Sequence, residues 1–240
     1  MINSCFRFAV IVLVVVGLAR PALTDTVTLT ASRNVTLYED GQGDRANGSG
    51  PYLFVGRTGQ PQTRRALIAF DIDGGLPADV TITSATLALN LSKTPTSGRT
   101  ATLHQVLADW GEGSSNAASQ EGDGTTAATG DATWLHTFHD TQRWASAGGD
   151  FEAGSSASRS IGSAGPYTWS SAGMVNDVQA WLDDPSTNFG WVIRGGEIGI
   201  EDGQAASTAA STRRRPTADA DDRIRVAELE SGAGCGCGAC

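Results

Sequence analysis

Arg57, Arg64 and Arg65 cluster around the turn 56–63. A guanidinium is a planar fork that binds a carboxylate through two parallel hydrogen bonds, so such a set suits a carboxylated sugar. The chain also carries six tryptophans. An exposed indole presents a flat apolar face on which a sugar ring can stack, and Trp110 and Trp144 are the candidates. The competing account is plain: tryptophans fill the core and arginines face water.

Asp40, Asp44 and Asn47 stand among glycines in DGQGDRANGSG. Oxygen donors on a Gly-rich loop suit a structural Ca²⁺ ion. Their spacing departs from the EF-hand pattern, and turn-forming Asp and Asn account for the same residues.

Three further constellations carry less. His136 and His139 spell H-x-x-H. On a helix such a pair could share a zinc, but the alternation around them argues a strand, which sends residues three apart to opposite faces. Asp109 and Glu112 flank Trp110 in ADWGEG. Two carboxylates across a cleft would be glycosidase chemistry; we prefer the reading in which they orient the loop that begins there. No G-x-S-x-G is present, so the sequence shows no convergent catalytic constellation.

The elements that must position these residues are β-rich. Of 240 residues, 40% are hydrophobic and only 18% charged, with 30 glycines. That is the profile of short strands joined by turns. Period-two alternation runs through residues 34–38, 66–72, 81–91 and 102–107, and returns at 134–138, 191–194 and 223–229. Residues 111–131 have no such period and read as an exposed loop. One helix is expected. Ser170 and Ser171 can cap it; Met174, Val175, Val178, Trp181 and Leu182 then share a face, and Pro185 ends it. About ten strands with one short helix imply an all-β, jelly-roll-like β-sandwich of two antiparallel sheets.

The first residues bear on compartment. Residues 8–19 form an apolar run of 12 after Arg7, broken by Arg20-Pro21 and followed by small residues. This reads as a signal peptide over residues 1–24. It is shorter than the roughly 20 residues a membrane span needs, so no stable span is expected after cleavage. A secreted, extracellular protein follows. Loss of residues 1–24 removes two arginines and no acid, leaving 15 basic and 26 acidic residues, a net charge of about −11. So acidic a chain is a poor partner for nucleic acid. Cys5 lies in the signal and Cys235, Cys237 and Cys240 at the far end, so the body has no disulfide framework. Asn34, Asn47 and Asn90 head N-x-S/T sequons. The pattern leaves oligomeric state unknown.

The order of motifs resembles a known family. TLYEDGQGDRANGSG is followed by YLFVGRTG, RRALIAFDI, LPADVTITSATLALNL, TLHQVLADWGEG, DATW and VNDVQAWLDDPSTNFGWVIRG. A strand ending in Phe70-Asp71, the turn at Pro77, the long strand 81–87, Trp110 with Glu112-Gly113, and Trp181 before 188–190 are similar to the DNRLRE domain, also described as carbohydrate-binding module family 96. The likeness spans about residues 26–196. It implies a jelly-roll-like sandwich on secreted or surface proteins, often attached to polysaccharide-degrading enzymes, with acidic polysaccharides bound by some members. In this sequence no attached catalytic domain is expected.

The expectation is therefore a secreted, non-catalytic carbohydrate-binding module for an acidic polysaccharide, with residues 25–200 as its domain. Residues 201–240 would be a polar tail, disordered apart from a last strand at 223–229. A structural or adhesive cell-surface domain without a small ligand is the alternative, and a polysaccharide hydrolase or lyase a more distant one.

Overall fold

A computed structural model of the chain describes residues 24–58, 62–92, 98–197 and 223–229. Most of the expected signal segment, the rest of the expected tail and all four cysteines lie outside the described residues. In chain order the elements are β1 (Thr24–Tyr38), β2 (Arg45–Ala46), β3 (Gly56–Arg57), β4 (Thr63–Phe70), α1 (Ile72–Gly75), β5 (Thr81–Leu91) and β6 (Arg99–Gln105). There follow β7 (Thr125–Thr126), β8 (His136–Phe138), β9 (Gln142–Arg143), β10 (Ala157–Ile161), β11 (Gly165–Ser170), α2 (Ala172–Asp183), β12 (Trp191–Arg194) and β13 (Arg223–Leu229).

The main strands form one hydrogen-bonded path, β10-β6-β12-β4-β1-β13-β5-β11. All of its pairings are antiparallel. The path folds at β1. Residues 24–30 pair with β13, and residues 31–38 pair with β4. The register slips between Ala31 and Arg33, and a bulge at a strand that changes sheets is how a sandwich makes its corner. We call β11, β5, β13 and the start of β1 the first sheet, and the end of β1, β4, β12, β6 and β10 the second. Together they make an all-β sandwich.

Alternation fills the space between the sheets. Ile82, Ala85, Leu87, Leu89 and Leu91 of β5 face Ala66, Ile68 and Phe70 of β4 and Trp191 and Ile193 of β12 in one buried cluster. The helix closes one end of it. Ser171 caps α2 by accepting from the Met174 N–H at 3.1 Å. Met174, Val178, Trp181 and Leu182 are its buried stripe. Trp181 meets Trp191 with ring centroids 4.6 Å apart. A second, four-residue helix, α1, was not expected; Asp71 starts it by accepting from the Gly74 N–H.

The β4 sequence TRRALIAF has no polar face because this strand is covered on both sides. Leu67, Ala69 and Val192 point away from the inter-sheet core into a separate cluster with Val35, Leu37, Val106, Trp110, Trp134 and Trp144. Its cover is the segment 106–151, which folds back over the outer face. The reading of residues 111–131 as an exposed loop holds in part: Gly113, Ser114 and Asn116 are exposed, while Ser115, Glu121 and Asp131 are buried. A 3₁₀ helix spans Ala118–Asp123, and Asp131 is fully buried. The Asp131 carboxylate accepts from the N–H groups of Ser114 and Ala128, both at 2.7 Å. A buried carboxylate with several N–H donors organises a loop that has no apolar period of its own.

Candidate functional site

The outer face of the second sheet divides into two halves. One is roofed by the segment 106–151. The other, formed by β12, β6 and β10, has no such roof among the described residues: Thr100, Ser158 and Ser160 are exposed, and Thr102 and Arg194 are half-buried. Strand register places these side chains together. Thr102 pairs with Arg194 on one side and with Ser158 on the other, while Thr100 pairs with Ser160. On the roofed side Leu37 pairs with Arg65, and Arg65 lies one step beyond the Ala66–Ile193 pair, opposite Arg194. One transverse row therefore reads Leu37, Arg65, Arg194, Thr102, Ser158. It passes from apolar to cationic to hydroxylated as it leaves the roof.

Two guanidiniums opposite each other repel. Glu197 resolves this. Its carboxylate takes a two-pronged contact from Arg65, with Nε to Oε1 and Nη2 to Oε2 both at 2.9 Å. Arg194 Nη2 reaches Oε2 at 2.6 Å. Burial alone would raise the Glu197 carboxyl, but the two arginines more than offset that and hold it below its ordinary range. Both guanidiniums lie over the Phe151 ring, at 5.2 and 5.0 Å, and Arg65 also lies over Trp134 at 4.8 Å. Arg65 Nη1 donates to the Gly148 carbonyl at 2.7 Å. Gly148 has φ +86°, and a Cβ there would run into Arg65 and Trp134. Two arginines and one glutamate leave the cluster with a net positive charge on an acidic chain.

His104 borders the cluster. Nδ1 donates to the Glu152 carbonyl at 2.9 Å, and Nε2 meets Thr102 Oγ1 at 3.0 Å. Burial pushes its pKa down, so the neutral ring accepts from the threonine hydroxyl.

The residues singled out from sequence fall in several places. Arg64 and Arg65 leave β4 on opposite faces. Arg64 is buried, its guanidinium 4.9 Å from the Tyr38 ring and its Nε donating to the Gly122 carbonyl at 3.2 Å. Arg57 is half-buried on β3, opposite Thr63. Trp110 is 0% exposed and its indole N–H donates to the Phe189 carbonyl at 2.8 Å. Trp144 is 6% exposed and donates to the Thr133 carbonyl at 2.9 Å. Both lie in the outer cluster, and stacking on a sugar would require them to leave it. Of the five, Arg65 alone joins the row.

Asp40 Oδ1 accepts from the N–H groups of Gln42 and Gly43 as a local turn. Asp44 is exposed. Asn47 is buried and faces elsewhere, donating to Glu121 Oε2 at 3.2 Å and accepting from the Ala117 N–H at 3.0 Å. Among the described residues no three His, Cys, Asp or Glu side chains are grouped to hold a metal.

Asp109 pairs with Arg33 at 2.7 Å, and Glu112 accepts from the Asn34 N–H at 2.8 Å. The Arg33 guanidinium lies 4.4 Å from the Trp110 ring. These acids fasten the loop to β1, the role preferred for them from sequence. The H-x-x-H expectation is corrected. The strand ends at Phe138, and Asp140 turns the chain at φ +65°, so the rings of His136 and His139 meet edge to face with centroids 5.1 Å apart. Sequence reasoning missed Glu197, which follows β12 by three residues and meets Arg65 across 132 positions.

The chain matches carbohydrate-binding module family 96 over residues 25–142. Over those residues it belongs to that family. The family is one of carbohydrate-binding modules, which suggests a carbohydrate partner. No curated protein matches the chain. The family match takes in Arg65, Thr102 and Trp110 and ends before Arg194 and Glu197. The motifs that carried the resemblance meet in space: Asn188 donates to the Phe70 carbonyl at 2.8 Å, and the Gly190 carbonyl accepts from the Val106 N–H at 3.0 Å. At Gly190, φ +76°, a Cβ would strike the Ile68 carbonyl, so this turn requires glycine. Among the described residues no helix is long and apolar enough to cross a membrane.

Proposed function

We propose that the protein is a secreted, non-catalytic module that holds an acidic polysaccharide along the unroofed half of the second sheet. The row Arg65–Arg194–Thr102–Ser158 carries this reading. Sugars offer many hydroxyls, and an exposed strip of Ser and Thr hydroxyls can exchange hydrogen bonds with them. A uronate adds a carboxylate, for which the half-buried Arg194 guanidinium is the matching fork. The secreted chain's net charge of about −11 opposes a polyanion at long range. That repulsion is screened beyond about 8 Å at physiological salt, so binding rests on local contact with the cationic row.

Secretion is supported by the apolar run 8–19 and its flanks. Calcium remains a proposal for Asp40 and Asp44 alone, since Asn47 is committed to Glu121 and Ala117. A rise in melting temperature on adding Ca²⁺ would support it, and no change would remove it.

Affinity electrophoresis tests the binding. Gels cast with a polyuronate should retard the protein, and Arg194→Gln should lose most of that retardation, an affinity drop of about tenfold for one charge-assisted contact. Migration unchanged by any polyuronate would overturn the proposal.

A further inference from the structure

We infer that Arg194, beside Arg65, is a carboxylate-reading subsite for a uronate residue, and that Glu197 is an internal competitor that engages it in the free protein. This rests on the acidic-polysaccharide reading above. The two guanidiniums converge on one carboxylate: Arg65 donates to both of its oxygens, and Arg194 donates to Oε2 from Nε at 3.2 Å and from Nη2 at 2.6 Å. Their planes are fixed from below by Phe151 and Trp134, and Arg65 is further held by the Gly148 carbonyl. Such a receptor is organised before any ligand arrives, which lowers the ordering cost of binding.

The occupant comes from the chain itself. Glu197 reaches back from just beyond Gly195-Gly196 at the end of β12. Its side chain is 9% exposed, Arg65 is 13% exposed and Arg194 is 27% exposed. Arg194 is therefore the side from which a carboxylate can approach. It is also the arginine next to the Thr102 and Ser158 hydroxyls. A polymer lying on those hydroxyls brings its carboxylate to Arg194 and shifts Glu197 off that arginine, leaving Arg65 with the internal carboxylate. The competition sets a threshold: a polymer with closely spaced carboxylates gains what a neutral polymer cannot.

A structural role for Glu197 makes the opposite prediction. If it only neutralises two arginines, removing its charge loosens the row and weakens binding. Titration calorimetry with an oligouronate on the full chain separates the two. Glu197→Gln should bind about tenfold more tightly than wild type, the change expected when one charged competitor is removed. Glu197→Asp keeps the charge but loses reach, and should fall between them; it carries the test if Glu197→Gln does not fold. Glucuronate alone should shift the Arg194 side-chain resonances in Glu197→Gln at lower concentration than in wild type. Wild-type binding with equal or weaker binding by both variants would overturn the inference and leave the proposed function standing. No oligouronate binding by wild type or either variant would overturn both.

Discussion

The two buried clusters of this protein are built by different means. The inter-sheet core is aliphatic and periodic: β5 alone supplies five of its residues at every second or third position, and α2 adds a stripe at helical spacing. The outer cluster is built around Trp110, Trp134 and Trp144 and is held by polar fastenings. Asp131 gathers backbone N–H groups, Arg33 lies on Trp110 and pairs with Asp109, and Glu112 accepts from β1. The inner cluster is what makes the chain a sandwich. Among the described residues, the outer one fixes how much of the second sheet stays open. The proposed binding face then begins where the roof stops, at Phe151 and the arginines stacked on it.

If that contrast is right, damage to the two clusters has different reach. Trp191 is fully buried between Phe70 and Trp181, and its indole N–H donates to Asp177 at 2.6 Å. Trp191→Ala should cost about 3–5 kcal/mol and lower the midpoint of the whole unfolding transition in urea, monitored by circular dichroism. A loss under about 1 kcal/mol would break the claim that this cluster holds the sheets together.

Asp131→Ala should cost less, about 2–3 kcal/mol, because it strands buried N–H donors without opening the sandwich. Its effect should be local. Hydrogen exchange should rise across residues 111–140 and stay near wild type in β5 and α2. Equal acceleration in both regions would erase the distinction between the clusters.

Acid should act on the outer face first. Burial depresses the pKa of His104 and of His136, both beside that face. Each binds protons more readily when unfolded, so each contributes stability that is fully present above about pH 6.5 and is lost as pH falls toward its folded value. Glu197 is also depressed, so its contribution is present above about pH 4.5 and is lost as pH falls through its folded value. Denaturation midpoints should therefore fall from pH 7 to pH 5, and His104→Gln should flatten that slope. A midpoint that rises on acidification would contradict the assignment of neutral buried imidazoles.

The sequence made the inner cluster readable and the outer one nearly invisible, for physical reasons. Alternation in TITSATLALNL and the 3.6 spacing of α2 are local consequences of burying one face. The roof has no period, because its order comes from single carboxylates and backbone donors scattered over the segment. Arg65 was found from its type and its strand, yet its partner was not, since a contact across 132 positions leaves no local signal. The tryptophans are ambiguous for a related reason. An indole that can stack on a sugar can equally well fill a core, and only burial tells the two apart. The His136–His139 contact escaped because a turn residue at positive φ follows a very short strand.

The central claim is that ligand occupies the open half of the second sheet while the roofed half is structural. Amide chemical-shift mapping during titration with an oligouronate tests it most directly. The account predicts that the perturbed resonances concentrate on β6, β10 and β12, centred on Thr102, Ser158 and Arg194. Perturbations centred instead on Trp110, Trp144 and the segment around them would contradict it.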